Sequence, residues 1–286
     1  MTEILDVNKL LKLLDAFSPF RQAEAWDNVG LMVGDPGREV RGILLALDPT
    51  EPLLDECRTL NCNTIITHHP LIFHPLKNIR PDQPLGRLLA AALSDEINII
   101  ACHTNLDVAD DGVSDALARR LGLTNLQPLQ PANPGSAPGS LGFGRIGDLA
   151  EPLSGENFLL ELLKALNLEA VPVAGLLPAM VRRVAVCGGS GSDLAETARQ
   201  AGADLYVSAE IKHAAARWAE MHAFCLVDAG HYHSENPATA ALAARLGKEL
   251  AAAGWGSVPL QVSRLQQSPF RLFYRASFGQ AGPERA

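Results

Sequence analysis

The stretch VRGILLALDPTEPLLDECRTLNCNTIITHH, residues 40–69, decides the fold. An apolar run at 42–47 gives way to a helical pattern at 51–60, and a second apolar run at 64–66 ends on His68 and His69. Short apolar runs on either side of an amphipathic helix mark a β-α-β unit, whose crossover makes the two strands parallel. A second stretch, VRRVAVCGGSGSDLAETARQAGADLYVSAE at residues 181–210, repeats this order without a gap. It sets Ser208 where the first stretch has Thr67. Working outward, a helix is expected at 85–93, a strand at 97–102 and a helix at 113–122, and the later half alternates in the same way through ENFLLELLKAL, RRVAVC, LAETARQAG, LYV, AAARWAEMH, AFCLVD and ATAALAARLGKELAAAG. The expectation is an α/β fold built from two similar units, an internal duplication. Its mixed or largely parallel sheets are expected to face a central cleft. Residues 1–126 form the first unit and 145–286 the second. Residues 127–144, rich in Pro, Gly, Ser and Asn, read as a joining loop.

Composition narrows the function classes. The chain has 286 residues, 47% hydrophobic and 20% charged, with a formal net charge of −8. That balance suits a folded protein with a substantial core and makes nucleic acid an unlikely partner, since phosphate backbones demand clustered Lys and Arg. The five cysteines show no C-x-x-C spacing and sit in or beside apolar runs, as buried thiols of a reducing compartment do. The acidic amphipathic start MTEILDVNKLLKLLDAF lacks the order of a signal peptide, and no apolar run approaches the ~20 residues of a membrane span. A cytoplasmic protein without membrane attachment is expected.

Chemistry gathers at the C-terminal ends of expected strands, the edge at which open α/β sheets bind ligands. His68 and His69 end one strand, CHTNLD places His103 and Asp107 after another, and GHYHSE places His231 and Glu235 after a third. Imidazole with carboxylate suits Zn, Fe, Mn or Ni, and the absence of thiolates speaks against a structural zinc. One ion takes about four ligands, whereas His68, His69, Asp107, His231 and Glu235 offer five. Two divalent ions per subunit account for the surplus, with His68 and His69 each serving a different ion. The positive charge left over favours a small anionic substrate, a nucleotide among them, and two-metal hydrolysis. Glu235 and His103 are the candidate catalytic residues. His103 is expected to orient Asp107 or hold a proton rather than bind metal. Glu210, Lys212 and His213 follow a strand and are further candidates to reach the cleft. The glycine-rich CGGSGSDL could offer free N–H groups to a phosphate but lacks the G-K-[ST] of a P-loop. The H-x-E and P-C-x-x-C pattern of zinc deaminases is absent.

The segments AEAWDNVGLMVGDP, ITHHPLIF, CHTNLD, GFGRIGDL, GGSGSDL, ADLYVSAEIKH and DAGHYHSE, in this order, resemble the successive signatures of the Nif-three-like family, many of whose members are described as GTP cyclohydrolase I type 2 homologs. The resemblance implies a dinuclear metal site in an α/β subunit and a ring-shaped homohexamer. It places the family's ligands on the same five residues, His68, His69, Asp107, His231 and Glu235. It leaves two functions open: a metal-dependent hydrolase of a nucleotide or phosphorylated small molecule, or a metal-binding scaffold without turnover. Three departures set this chain apart. The 127–144 segment stands where some relatives insert a domain, SAE at 208–210 replaces a more usual TGE, and His233 is an extra imidazole.

Overall fold

A computed structural model describes residues 3–132 and 141–273. In chain order its strands are β1 (Gly30–Val33), β2 (Ile43–Ala46), β3 (Thr64–Thr67), β4 (Asn98–Ala101), β5 (Leu123–Pro131), β6 (Gly142–Ser154), β7 (Val173–Ala174), β8 (Met180–Ser190), β9 (Leu205–Ala209), β10 (Cys225–Asp228) and β11 (Leu260–Val262). The helices are α1 (Val7–Phe17), α2 (Glu51–Thr59), α3 (Pro84–Ser94), α4 (Thr104–Val108), α5 (Val113–Arg120), α6 (Gly155–Leu166), α7 (Ala195–Gln200), α8 (His213–Met221), α9 (His231–Glu235) and α10 (Pro237–Ala252).

The strands form two mixed sheets, ordered β1-β4-β3-β2-β11 and β5-β6-β8-β9-β10-β7. At the heart of each lies the same parallel trio. Ile43 pairs with Thr64 and Thr64 with Asn98 in the first; Val184 pairs with Leu205 and Leu205 with Cys225 in the second. Each trio is closed by an antiparallel strand, β1 on β4 and β7 on β10. The gapless repeat of the sequence is thus a repeat of register.

The strands β2, β3, β4 and β9 are buried along their whole length because helices cover both faces, which is why they read as unbroken apolar runs rather than alternations. On one face of the first sheet, Ile43, Leu45, Ile66 and Ile100 meet Leu10 and Leu14 of α1 and Leu242, Leu246 and Leu250 of α10. On the other face, Leu44, Ile65 and Ile99 meet Leu53 and Leu54 of α2 and Leu88 and Leu89 of α3. In the second sheet Val184, Val186, Leu205 and Val207 pack on Leu117, Phe158 and Leu162, and Tyr206 and Leu226 on Ala198 and Ala219.

Two features differ from the sequence reading. The ends of the 127–144 segment are strand, not loop: Gln127 pairs with Ile146 and Pro131 with Gly142 in the β5–β6 hairpin. Prolines obscured this, yet β5 is an edge strand, where a missing N–H costs no ladder bond. Residues 133–140 of that segment lie outside the described residues. The chain also returns to its first sheet: α10 covers one face, and β11 pairs in parallel with β2 through Leu260 and Ile43. The two sheets are therefore not the two contiguous halves of the chain. Among the described residues no helix is long and apolar enough to cross a membrane.

Candidate metal centre

The C-terminal ends of β3 and β4 in one sheet, and the α9 turn after β10 in the other, meet at a cluster of imidazoles and carboxylates. Beyond β3 the chain bends at His68 and His69, whose N–H groups donate to Ala46 O and Leu47 O. The two rings part because each is held by a different acceptor. His68 Nδ1 donates to the carbonyl of Cys102 at 2.8 Å, and His69 Nδ1 to Asp48 Oδ1 at 2.7 Å. After β10, Gly230 takes a positive φ of 73° and starts α9, which carries His231 and Glu235 one turn apart on one face. His231 Nδ1 donates to Glu210 Oε1 at 2.9 Å, and Glu210 itself sits at the end of β9 with φ 53°. His103 caps α4 and donates from Nδ1 to Asp27 Oδ1 at 2.8 Å.

Four rings thus share one arrangement. Each Nδ1 is a fixed donor, so in the neutral imidazole each Nε2 keeps its lone pair. The Nε2 atoms of His69 and His231 lie 3.2 Å apart, and both approach Glu235 Oε2, at 3.1 and 3.0 Å. His68 Nε2 lies 3.7 Å from both Asp107 Oδ1 and Glu235 Oε1. Candidate ligand atoms fall into two overlapping groups, His68, His69 and His103 in one and His69, His231 and Glu235 in the other.

The donor set fits metal ions on an independent observation. His68 Nε2 and Asp107 Oδ1 are buried without a hydrogen-bond partner. An orphaned buried polar atom costs about 1–3 kcal/mol, more if charged, and two of them facing each other at 3.7 Å call for an occupant. Without one, the groups hold protons instead. Burial opposes a charged His69, but Asp48 and Glu235 outweigh it and raise its pKa to about 10. A hydrogen bond to Glu235 raises His231 to about 9 against burial. Burial lifts Asp107 to about 7; it pushes Glu235 the same way, but His68 and His231 hold that carboxyl well below the usual carboxylate range. A divalent cation would take over the role of those protons.

All five ligands expected from the sequence are brought together, and His103 joins them. Its ring is 5.1 Å from that of His68, but its Nδ1 partner is Asp27 rather than Asp107. Burial and the His68 charge hold His103 below the usual imidazole range, although Asp27 opposes them. Asp27 also accepts from Thr104 N–H at 3.0 Å. Glu210 reaches the cluster as considered, through His231; Lys212 instead pairs with Asp193 at 2.9 Å, and His213 is exposed at the start of α8. His233 points the other way along α9, its Nδ1 on Leu166 O at 3.2 Å.

Two residues that hold the rings escaped sequence reading. Asp48 ends the strand beside the one that His68 and His69 end, a position that could have marked it; Asp27 lies in a loop with no period. The glycine-rich turn also has a use other than phosphate binding. A Cβ on Gly189, which has φ 67°, would overlap Glu235 Oε1, and the Gly189 N–H donates to Ser234 Oγ at 3.0 Å. The glycine lets β8 approach α9 closely enough to bury the carboxylate.

Fold and cluster together define an α/β protein whose gathered histidine and carboxylate side chains could hold a metal ion. Residues 5–269 match the model of the Duf34/NIF3 (NGG1p interacting factor 3) family, and the chain belongs to that family. A Streptomyces coelicolor protein described as a GTP cyclohydrolase 1 type 2 homolog is 35% identical over 267 residues, 92% of this chain and 93% of its own length. A Clostridium acetobutylicum protein of the same description is 32% identical over 94% of this chain and 99% of its own. Among solved structures, a Staphylococcus aureus protein superposes with a TM-score of 0.87 at 30% identity, over 94% of this chain and 99% of that one. A Bacillus cereus protein related to NIF3 gives 0.88 at 26% identity, over 95% and 100%.

Proposed function

We propose that the chain is a two-metal-ion hydrolase of a nucleotide or another phosphorylated small molecule. One observation carries this reading: four imidazoles with fixed Nδ1 donors gather around the carboxylates of Asp107 and Glu235, and His68 Nε2 and Asp107 Oδ1 are buried there without a partner. His68, His69, Asp107, His231 and Glu235 would hold the ions. Bound there, divalent ions lower the pKa of water and polarise a phosphoryl or ring-carbon centre. The chain's own groups do the rest. Asp48 and Glu210 orient His69 and His231 and make them better ligands. Asp27 fixes His103 so that its Nε2 can take or return a proton at the substrate. We further propose a homohexamer in the cytoplasm, which would enclose several such centres and admit only small substrates.

The family description names an interacting factor, and that favours a second reading, a metal-binding scaffold that engages other proteins without turnover. Assay of the metal-loaded protein on a panel of nucleotides and phosphoesters separates the two. Turnover that Glu235→Gln abolishes supports the hydrolase. No turnover on any of them, with partner binding unchanged in Glu235→Gln, supports the scaffold.

A further inference from the structure

An aromatic surface lies beside the histidine cluster, and nothing in metal binding uses it. Trp26 and Phe73 are 59% and 41% exposed, with ring centroids 5.8 Å apart. Both stand edge-on to His103 at 6.2 Å, and His103 in turn is 5.1 Å from His68 and 5.7 Å from His69. The three rings form a continuous path from solvent to the metal ligands.

The two exposed rings are held in place. The Asp27 carboxylate, fully buried, is fixed by His103 and Thr104. Asn28 Nδ2 donates to Ile72 O at 2.6 Å, and Glu24 N–H to Thr104 Oγ1 at 3.0 Å. The segments bearing Trp26 and Phe73 are thereby tied to each other and to α4, so little ordering cost would fall on a ligand. Large apolar rings kept in water at a fixed place beside reactive groups are a binding feature, because burial elsewhere would have gained about 25 cal/mol per Å².

We infer that Trp26 and Phe73 form a stacking platform for a planar heteroaromatic ring, seating it against His103 and presenting the rest of the molecule to His68, His69, His231 and Glu235. The inference rests on the hydrolase reading and narrows its substrates to those bearing a base. Aromatic faces attract π-systems of any heterocycle, while the His103 edge and the metal ligands select for polar substituents and an anionic tail. An aliphatic ligand would use neither.

Titration calorimetry and tryptophan fluorescence on the metal-loaded full chain test it, with GTP and ribose 5-phosphate as probes. GTP is expected to quench fluorescence in the native protein. Trp26→Ala should bind GTP about tenfold more weakly or worse, as loss of base stacking does. Its metal content and its affinity for ribose 5-phosphate should not change, and Trp26→Phe should recover most of the GTP affinity. Equal GTP affinity in native and Trp26→Ala protein, no preference for GTP over ribose 5-phosphate, or no GTP binding at all would each overturn the platform. Base-dependent binding without turnover would retire the hydrolase and keep the platform. Turnover of phosphoesters, unchanged in Trp26→Ala and indifferent to a base, would do the reverse.

Discussion

His69 and His231, 162 residues apart in sequence, bring their Nε2 atoms to 3.2 Å of each other across the two sheets. Each ring is set by a carboxylate at its far nitrogen, Asp48 for His69 and Glu210 for His231. The repeat that places β2 and β3 in the first sheet places β8 and β9 in the second, so His69 after β3 and Glu210 after β9 stand at matching strand ends.

The two orienting carboxylates should therefore matter for metal affinity more than for folding. Asp48→Asn and Glu210→Gln each lose the negative charge but keep the shape. Each is expected to weaken metal binding about 10–100-fold, measured by competition with a chromophoric chelator, while the metal-free variants unfold in urea near the native midpoint. Unchanged affinity in both would mean that the rings need no such support.

Arg145 and Asp115 form an ion pair at 2.7 Å, both residues almost fully buried, and Arg145 also donates to the carbonyls of Gly142, Gly144 and Ala109. The pair fastens the β5–β6 hairpin to α5. Arg145→Met strands a buried carboxylate and should cost about 3–5 kcal/mol in urea unfolding. Arg145→Met with Asp115→Leu should recover much of that loss, because no charge is then left unpaired. A single variant as stable as the native chain would remove this fastening from the account.

Burial is the main cause that pushes the thiols of Cys57, Cys102 and Cys187 up to about 12 and that of Cys225 to about 11, and it raises Cys62 as well. Thiolate forms only as pH rises past the pKa, so at pH 8 almost none is present in the folded chain, whereas an unfolded thiol near 8.5 is partly ionised. Iodoacetamide at pH 8 should label none of the five in the native protein and all five in urea, read by mass spectrometry. Rapid native labelling of any one would show that its segment opens readily.

Much of this was legible in the sequence because parallel strands buried on both faces leave unmistakable apolar runs, and because strand ends carry the histidines. The β5–β6 hairpin was not, since Pro128 and Pro131 hide the alternation of an edge strand. Nor was the return of α10 and β11 to the first sheet: an amphipathic helix shows that it has a buried face, not which sheet receives it. Asp27 and Asp48 are single acids whose partners lie 76 and 21 residues away, a pairing that only the folded chain reveals.

Metal stoichiometry tests the central claim most directly. The purified chain, saturated with zinc and in a separate preparation with manganese, then freed of excess metal, is analysed for metal and protein content. Two ions per chain are expected, and fewer in His68→Ala and His69→Ala, each depleting one ion more than the other. One ion per chain at saturation, with His68, His69, Asp107, His231 and Glu235 all intact, would contradict the account.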